Sequence, residues 1–318
     1  MWKLLSGILL GWSLGANHTG NVFGTGVATG TVRYRTAVIL TALFVFVGAA
    51  FEGPKCMETV SALSRLNSLD AFYCALAAGI IMTVLTFLAF PSSASQAVVG
   101  AVLGAGIFHG SADFTKLYKI VVCWLFTPFF AIFTSFAIYH LLSYFLERTV
   151  KSVTRRNVIY SVGTVLTGCY GAYSLGANNV ANVTGIYVGS GDLSSESAAL
   201  IGGLSIASGV LTFSKRVMMT IGKGIVPLDP FSALVSVLAA SFTLHVFTQV
   251  GVPVSSSQSI VGAVVGIGLA GNLQTVNLDM LSKIGIGWVS SPLTAAVLSY
   301  FFVKLRVAEF VFPLFFWL

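Results

Sequence analysis

Two short polar motifs, each present twice, hold the residues best suited to chemistry in this chain. One reads Gly15-Ala16-Asn17-His18-Thr19-Gly20-Asn21 and returns as Gly176-Ala177-Asn178-Asn179-Val180-Ala181-Asn182. The other starts at Pro91 with Ser93, Ser95 and Gln96, and returns at Pro253 with Ser255, Ser256, Ser257 and Gln258. Amides and hydroxyls both give and take hydrogen bonds, so they can hold an anion through N–H and O–H or a cation through oxygen. Proline followed by serine suits the cap and first turn of a helix. Each Pro-Ser cluster therefore reads as the N-terminus of a half-helix. Free N–H groups and the positive dipole end converge there, which makes an anion site without a lysine. The glycines beside Asn17 and Asn178 predict that the helix unwinds at 15–21 and 176–182, with the asparagines meeting the freed backbone groups.

The spacing of the motifs shows what must position them. Segments 13–24 and 174–185 share eight identities in twelve at an offset of 161, and 91–106 and 253–268 share ten in sixteen at an offset of 162. Trp124 and Pro128 match Trp288 and Pro292 at an offset of 164. The chain is thus an internal duplication. The first repeat covers 1–146, a basic linker covers 147–157, and the second repeat covers 158–318. Gly100/Gly104 and Gly262/Gly266 follow the serine clusters at helix-packing spacing.

Composition fixes the medium. Of 318 residues only 8% are charged, 17 Lys+Arg and 10 Asp+Glu, while 56% are apolar. An ordinary soluble domain has roughly 25% charged residues. This chain cannot build a charged shell, which excludes a cytosolic enzyme, a nucleic-acid binder and a disordered chain. The expected fold is an all-α polytopic membrane protein of about ten to twelve transmembrane segments in two inverted repeats with broken half-helices. The partner implied first is the lipid bilayer, in the cell (plasma or inner) membrane. The apolar tail 307–318 is too short to span as a helix and is expected in the interface or against a neighbour.

The linker ERTVKSVTRRN carries four basic residues and marks the cytoplasmic side. Five crossings before it put the N-terminus outside. Arg33, Arg35, Lys215, Arg216 and Lys223 then fall inside, and Lys55, Arg65, Lys116 and Lys119 outside. An odd number of crossings per repeat is what inverts the second repeat. Met1–Ala16 has the look of a signal peptide, but cleavage near Ala16 would cut a motif that recurs. Cys56, Cys74, Cys123 and Cys169 show no paired spacing and read as apolar fillers. Most of the acids, among them Glu52, Asp113, Asp192 and Asp229, are expected at solvated span ends. His140 and His245 read as hydrogen-bonded helix residues. HExxH, GxSxG, Walker and haem motifs are absent from the sequence, so neither an enzyme nor an ATP-driven pump is indicated.

At these residues the chain resembles the inorganic phosphate transporter (PiT) family. That family carries two Gly-Ala-Asn-Asp-x-Ala-Asn signatures and two Pro-Val-Ser-Thr-Ser motifs followed by an apolar Val-Gly-Ala run. Here they read GANHTGN (15–21), PSSASQAVVGA (91–101), GANNVAN (176–182) and PVSSSQSIVGA (253–263). The resemblance spans both halves. It implies a dimeric inverted-repeat transporter moving phosphate with sodium or protons by alternating access. Carried over, its anion contacts are Asn17, Asn21, Ser93, Ser95, Gln96, Asn178, Asn182, Ser255, Ser256, Ser257 and Gln258. The candidates for the coupling ion are Asn17, His18, Asn178 and Asn179, with no organic cofactor.

Three positions depart from the pattern. The signature aspartates are His18 and Asn179, and the threonine of the first Pro-Ser motif is Ala94. Without two carboxylates a hard cation is held weakly by carbonyl and amide oxygens. The coupling ion is therefore H+ or Na+, with protons favoured, and His18 is a candidate proton carrier. A site lacking carboxylates also suits sulfate, which has no proton to donate. Inorganic phosphate is the first reading and proton-coupled sulfate the alternative. A non-transporting anion sensor and a passive anion channel are readings from other classes.

Overall fold

The computed structural model describes residues 2–90, 92–224, 228–271 and 278–316. They form twelve helices: α1 (Leu4–Ala28), α2 (Tyr34–Glu52), α3 (Pro54–Ser61), α4 (Ser68–Phe87), α5 (Ala94–His109), α6 (Phe114–Thr149), α7 (Val153–Gly189), α8 (Ser195–Phe213), α9 (Lys215–Gly224), α10 (Pro230–Gln249), α11 (Ser256–Ala270) and α12 (Leu278–Phe316). The all-α membrane fold expected from composition is the fold observed. Six helices (α2, α4, α6, α8, α10 and α12) are long and apolar enough to cross a membrane by length and composition. Helices α1 and α7, 25 and 37 residues long, are long enough but carry the polar motifs. Helices α5 and α11, with 16 and 15 residues, are apolar and shorter than a span. The ten to twelve segments read from length are thus a mixture of long helices and short ones.

Helix lengths repeat along the chain. Helices α2 and α8 both have 19 residues, and α4 and α10 both have 20. Their starts repeat as well. The Asn67 side chain caps α4 by accepting from the Leu69 and Asp70 N–H groups, and Asp229 does the same for α10 with Phe231 and Ser232. Such a side-chain cap is worth about 1 kcal/mol.

Much of the packing crosses between the halves, alongside contacts within each, such as α1 with α4 and α7 with α10. Helix α1 lies on α8 and α9, and α7 lies on α2 and α3; α5 lies on α12, and α11 on α6. The glycines after the serine clusters make these last two contacts possible. A Cβ at Gly100 would run into the Pro292 carbonyl, and one at Gly262 into the Pro128 carbonyl. The packing role read for them from sequence is what the structure shows.

One expectation is corrected here and two are refined. Helices α1 and α7 run unbroken through 15–21 and 176–182, so neither Gly-Ala-Asn segment unwinds. The tail is helical as far as Phe316, in continuation of α12. Not every acid is solvated, since Asp70 is buried and paired with Arg306 (2.9 Å) and His109 (3.1 Å). Its partners lie far away in sequence, which is why its position near the start of α4 looked solvent-facing.

Candidate functional site

The intact helices explain where the asparagine amides go. They are spent on the turn that enters the neighbouring half-helix. The Asn17 Nδ2 donates to the Phe90 carbonyl and the Thr86 hydroxyl, both at 3.1 Å, and its Oδ1 accepts from the Ser92 N–H at 3.3 Å. In the second half the Asn178 Nδ2 donates to the Val252 carbonyl (3.2 Å) and the Thr248 hydroxyl (3.0 Å), and its Oδ1 accepts from the Val254 N–H (2.9 Å). These two turns are irregular backbone inside a buried region, so their polar groups must find protein partners. Asn17 and Asn178 supply them. Thr86 and Thr248 complete the clamps and were missed from sequence; the signal was a threonine five residues before each proline. Pro91 lies outside the described residues.

Each turn feeds a serine-capped helix. Ser93 Oγ accepts from the Gln96 N–H and Ser255 Oγ from the Gln258 N–H, both at 3.3 Å. The half-helices read from the Pro-Ser clusters are therefore α5 and α11, entered at their N-termini. The second asparagine of each motif then crosses to the other half. Asn21 Nδ2 donates to Ser256 Oγ and Asn182 Nδ2 to Ser95 Oγ, both at 2.9 Å. Ser95 in turn donates to the Val254 carbonyl at 3.0 Å, and Ser257 and Ser255 hydroxyls bond each other at 2.9 Å. The two half-helix starts are thereby laced together. Every predicted site residue is buried, none more than 5% exposed. The site is occluded in this conformation.

Several polar atoms at this junction have no protein partner: Asn21 Oδ1, Asn182 Oδ1, Gln96 Oε1, Gln258 Oε1, Asn179 Nδ2 and His18 Nδ1. A buried unpaired polar atom costs about 1–3 kcal/mol. Such atoms gathered in one place are set to receive a guest. A half-turn of an amide exchanges its oxygen for its NH2 without changing its shape, so these groups can offer either. His18 Nε2 lies 3.1 Å from the Ser92 carbonyl. A carbonyl only accepts, so Nε2 carries the hydrogen and Nδ1 faces inward as an acceptor. Asn179 Oδ1 accepts from Asn182 Nδ2 at 3.2 Å.

Two tryptophans fix α11 from outside. Trp124 Nε1 donates to the Pro253 carbonyl (3.3 Å) and Trp288 Nε1 to Ser257 Oγ (3.2 Å). They are matched in sequence, yet both reach the same half-helix. A cavity of about 390 Å³ lies between them, with Gln96 and Gln258 in its lining.

A phosphate transporter family profile matches residues 14–299, nearly the whole chain. The chain belongs to the phosphate transporter family. A Methanocaldococcus jannaschii protein named "Putative phosphate permease" is 26% identical over 298 residues, covering 94% of this chain and 95% of that protein. The sulfate permease CysP of Bacillus subtilis is 28% identical over 308 residues, covering 95% of this chain and 86% of that one. A solved structure titled "The sodium-dependent phosphate transporter" superposes with a TM-score of 0.82 at 23% identity, covering 96% of this chain and 100% of that one. That likeness is one of fold. This family member is a multi-pass membrane protein of transporter rather than enzyme lineage.

Proposed function

We propose that the protein is a secondary transporter of inorganic phosphate, carrying the anion across the cell membrane by ion-coupled symport. The two halves would be inverted about an axis in the membrane plane, as repeats 1–146 and 158–318 joined by a cytoplasmic linker. The occluded site would open alternately to either side. One observation carries the reading: two serine-capped half-helices meet at a buried junction where amide atoms of Asn21, Asn182, Gln96 and Gln258 have no partner among the described residues. The N–H groups and hydroxyls of Ser93, Ser95, Ser255, Ser256 and Ser257 would hold the oxyanion. The unpaired oxygens of Asn21, Asn182, Gln96 and Gln258 would accept the hydrogen bond that a protonated phosphate donates. Asn17 and Asn178 would act on the anion by holding the two turns in place.

Sulfate is the second reading. It is favoured by the replacement of both signature aspartates, His18 and Asn179, and by the likeness to a sulfate permease. The coupling ion would be a proton. The same carboxylate-poor site gives Na+ only neutral ligands. A homodimer is part of the proposal through family likeness.

Radiolabelled uptake into proteoliposomes tests both readings. Phosphate and sulfate are compared under a sodium gradient, a proton gradient or neither. Proton-driven phosphate accumulation is the expected result. Preference for sulfate would establish the second reading, binding without flux would indicate a sensor, and flux without accumulation a channel.

A further inference from the structure

The two halves part company just beyond the clamps. At the end of the molecule next to the Asn178 clamp lies a charged cluster. Glu52, the last residue of α2, takes Lys55 Nζ on Oε1 at 3.0 Å. On Oε2 it takes Gln249 Nε2 at 3.1 Å and His245 Nε2 at 3.4 Å. The other imidazole nitrogen, Nδ1, lies 3.0 Å from the Tyr170 hydroxyl. Tyr173 stands beside the same ring at 6.1 Å between centroids.

The repeat offsets identify the matching positions at the other end. Glu52 corresponds to Phe213, Lys55 to Arg216, Tyr173 to Trp12, His245 to Thr83 and Gln249 to Phe87. There Trp12, Phe87 and Phe213 pack ring against ring, with centroids 4.9–6.5 Å apart. One end of the site is thus closed by ionisable groups, the other mainly by aromatic rings.

We propose that His245, with Glu52 as its counter-charge, is the residue that binds and carries the coupling proton, and that the matching aromatic end is the passive gate. This deepens the transport reading above and rests on it. His245 and Thr248 lie one turn apart on α10, and Thr248 holds the Asn178 amide that clamps the turn into α11. Neutral His245 gives its Nε2 hydrogen to Glu52 and accepts the Tyr170 hydroxyl hydrogen on Nδ1. A proton arriving from water lands on Nδ1. The Tyr170 hydroxyl must then turn and accept instead of donate. The added positive charge sits one turn from the oxyanion's clamp, so proton and anion strengthen each other's binding reciprocally. The ionisable groups facing the imidazole are Glu52 on α2, Lys55 on α3, and Tyr170 and Tyr173 on α7. Glu52 and Lys55 balance before the proton arrives, and protonation of His245, held against Glu52, raises the net charge of the cluster by one. On the orientation given by the basic loops, this end faces outward, where a proton gradient would load it. His18 makes the poorer carrier. It is fully buried against the Ser92 carbonyl, and no carboxylate among the described residues pairs with it.

The test compares the wild type with His245→Gln in proteoliposomes. Counterflow of labelled phosphate or sulfate without ion gradients reports binding and conformational exchange. Accumulation under an inward proton gradient reports coupling. His245→Gln is expected to keep counterflow within about threefold while gradient-driven accumulation falls about tenfold and loses its pH dependence. Accumulation with the wild-type pH profile overturns the proposal, as does loss of counterflow in a variant that remains monodisperse. If His245→Gln does not assemble, Tyr170→Phe decides: a displaced pH profile supports the proposal, an unchanged one overturns it. Wild-type counterflow of neither anion would instead sink the transport reading, which separates the two failures. Wild-type accumulation driven by sodium alone would leave transport standing and refute the proton carrier.

Discussion

The Asn17 and Asn178 clamps are near copies, while the ends they adjoin are not. Each clamp uses one amide, one threonine and two backbone groups of the turn, at distances that agree within about 0.4 Å. Beyond them, Glu52 and His245 occupy the places that Phe213 and Thr83 take in the other half. Duplication has kept backbone order at two helix N-termini, which is what the proposed anion site needs from both sides. It has not kept the ionisable groups proposed to bind the driving ion. The difference sets a duplicated scaffold beside an unduplicated cluster drawn from both repeats, Glu52 and Lys55 from the first and Tyr170 and His245 from the second.

The strongest way to break this comparison is to remove a clamp. Asn17→Ala or Asn178→Ala each strand two or more buried backbone groups, at about 1–3 kcal/mol apiece. Both variants should lose initial uptake by about 100-fold or more, to a similar degree, as measured in proteoliposomes. A large loss in one and none in the other would refute the equivalence of the halves. Next comes packing across the halves. Gly100→Val and Gly262→Val push a side chain against the Pro292 and Pro128 carbonyls. Each should cost about 1–3 kcal/mol and lower the melting temperature of the detergent-solubilised protein.

The crossing bonds sharpen the comparison further. Ser95→Ala and Ser256→Ala each remove one acceptor from an asparagine of the other half. Each should raise KM about tenfold, equivalent to about 1.4 kcal/mol, with kcat changing less. The smallest effect is expected at the outer lysines. Lys55, Lys116 and Lys119 line a cavity of about 250 Å³ with Glu58 beside the Gly251 turn, next to the charged end. Lys116→Gln with Lys119→Gln should raise KM about twofold to threefold at low salt, and the effect should fade as ionic strength rises. An equal effect in high salt would mean that these lysines do not steer the anion.

Much of this was legible in the sequence because a duplication prints its own alignment. Two serine-capped half-helices, their packing glycines and the membrane medium followed from Pro91, Ser93, Gly100 and their matches. The helix breaks at Asn17 and Asn178 were misread for a physical reason. An asparagine beside glycines satisfies freed backbone, but sequence does not say whose backbone, and here it belongs to the Phe90–Ser92 and Val252–Val254 turns. The charged end was invisible for a related reason. Glu52, Tyr170 and His245 are far apart in the chain, and none of their matched positions shares the chemistry, so the repeat gave no echo to notice. The buried pairing of Asp70 with His109 and Arg306 escaped in the same way.

The exchange of packing partners between the halves has a consequence for synthesis. Gly100 on α5 finds its cover at Pro292 on α12, 192 residues later in the chain. At about 5–20 residues per second, the ribosome needs about 10–40 s to supply that cover. Throughout this interval α5 lacks the α12 contact that covers Gly100 in the folded chain. Translation that stops before α12 leaves α5 without the helix that packs most extensively on it, and the assembly of the first half waits on the last helix of the second.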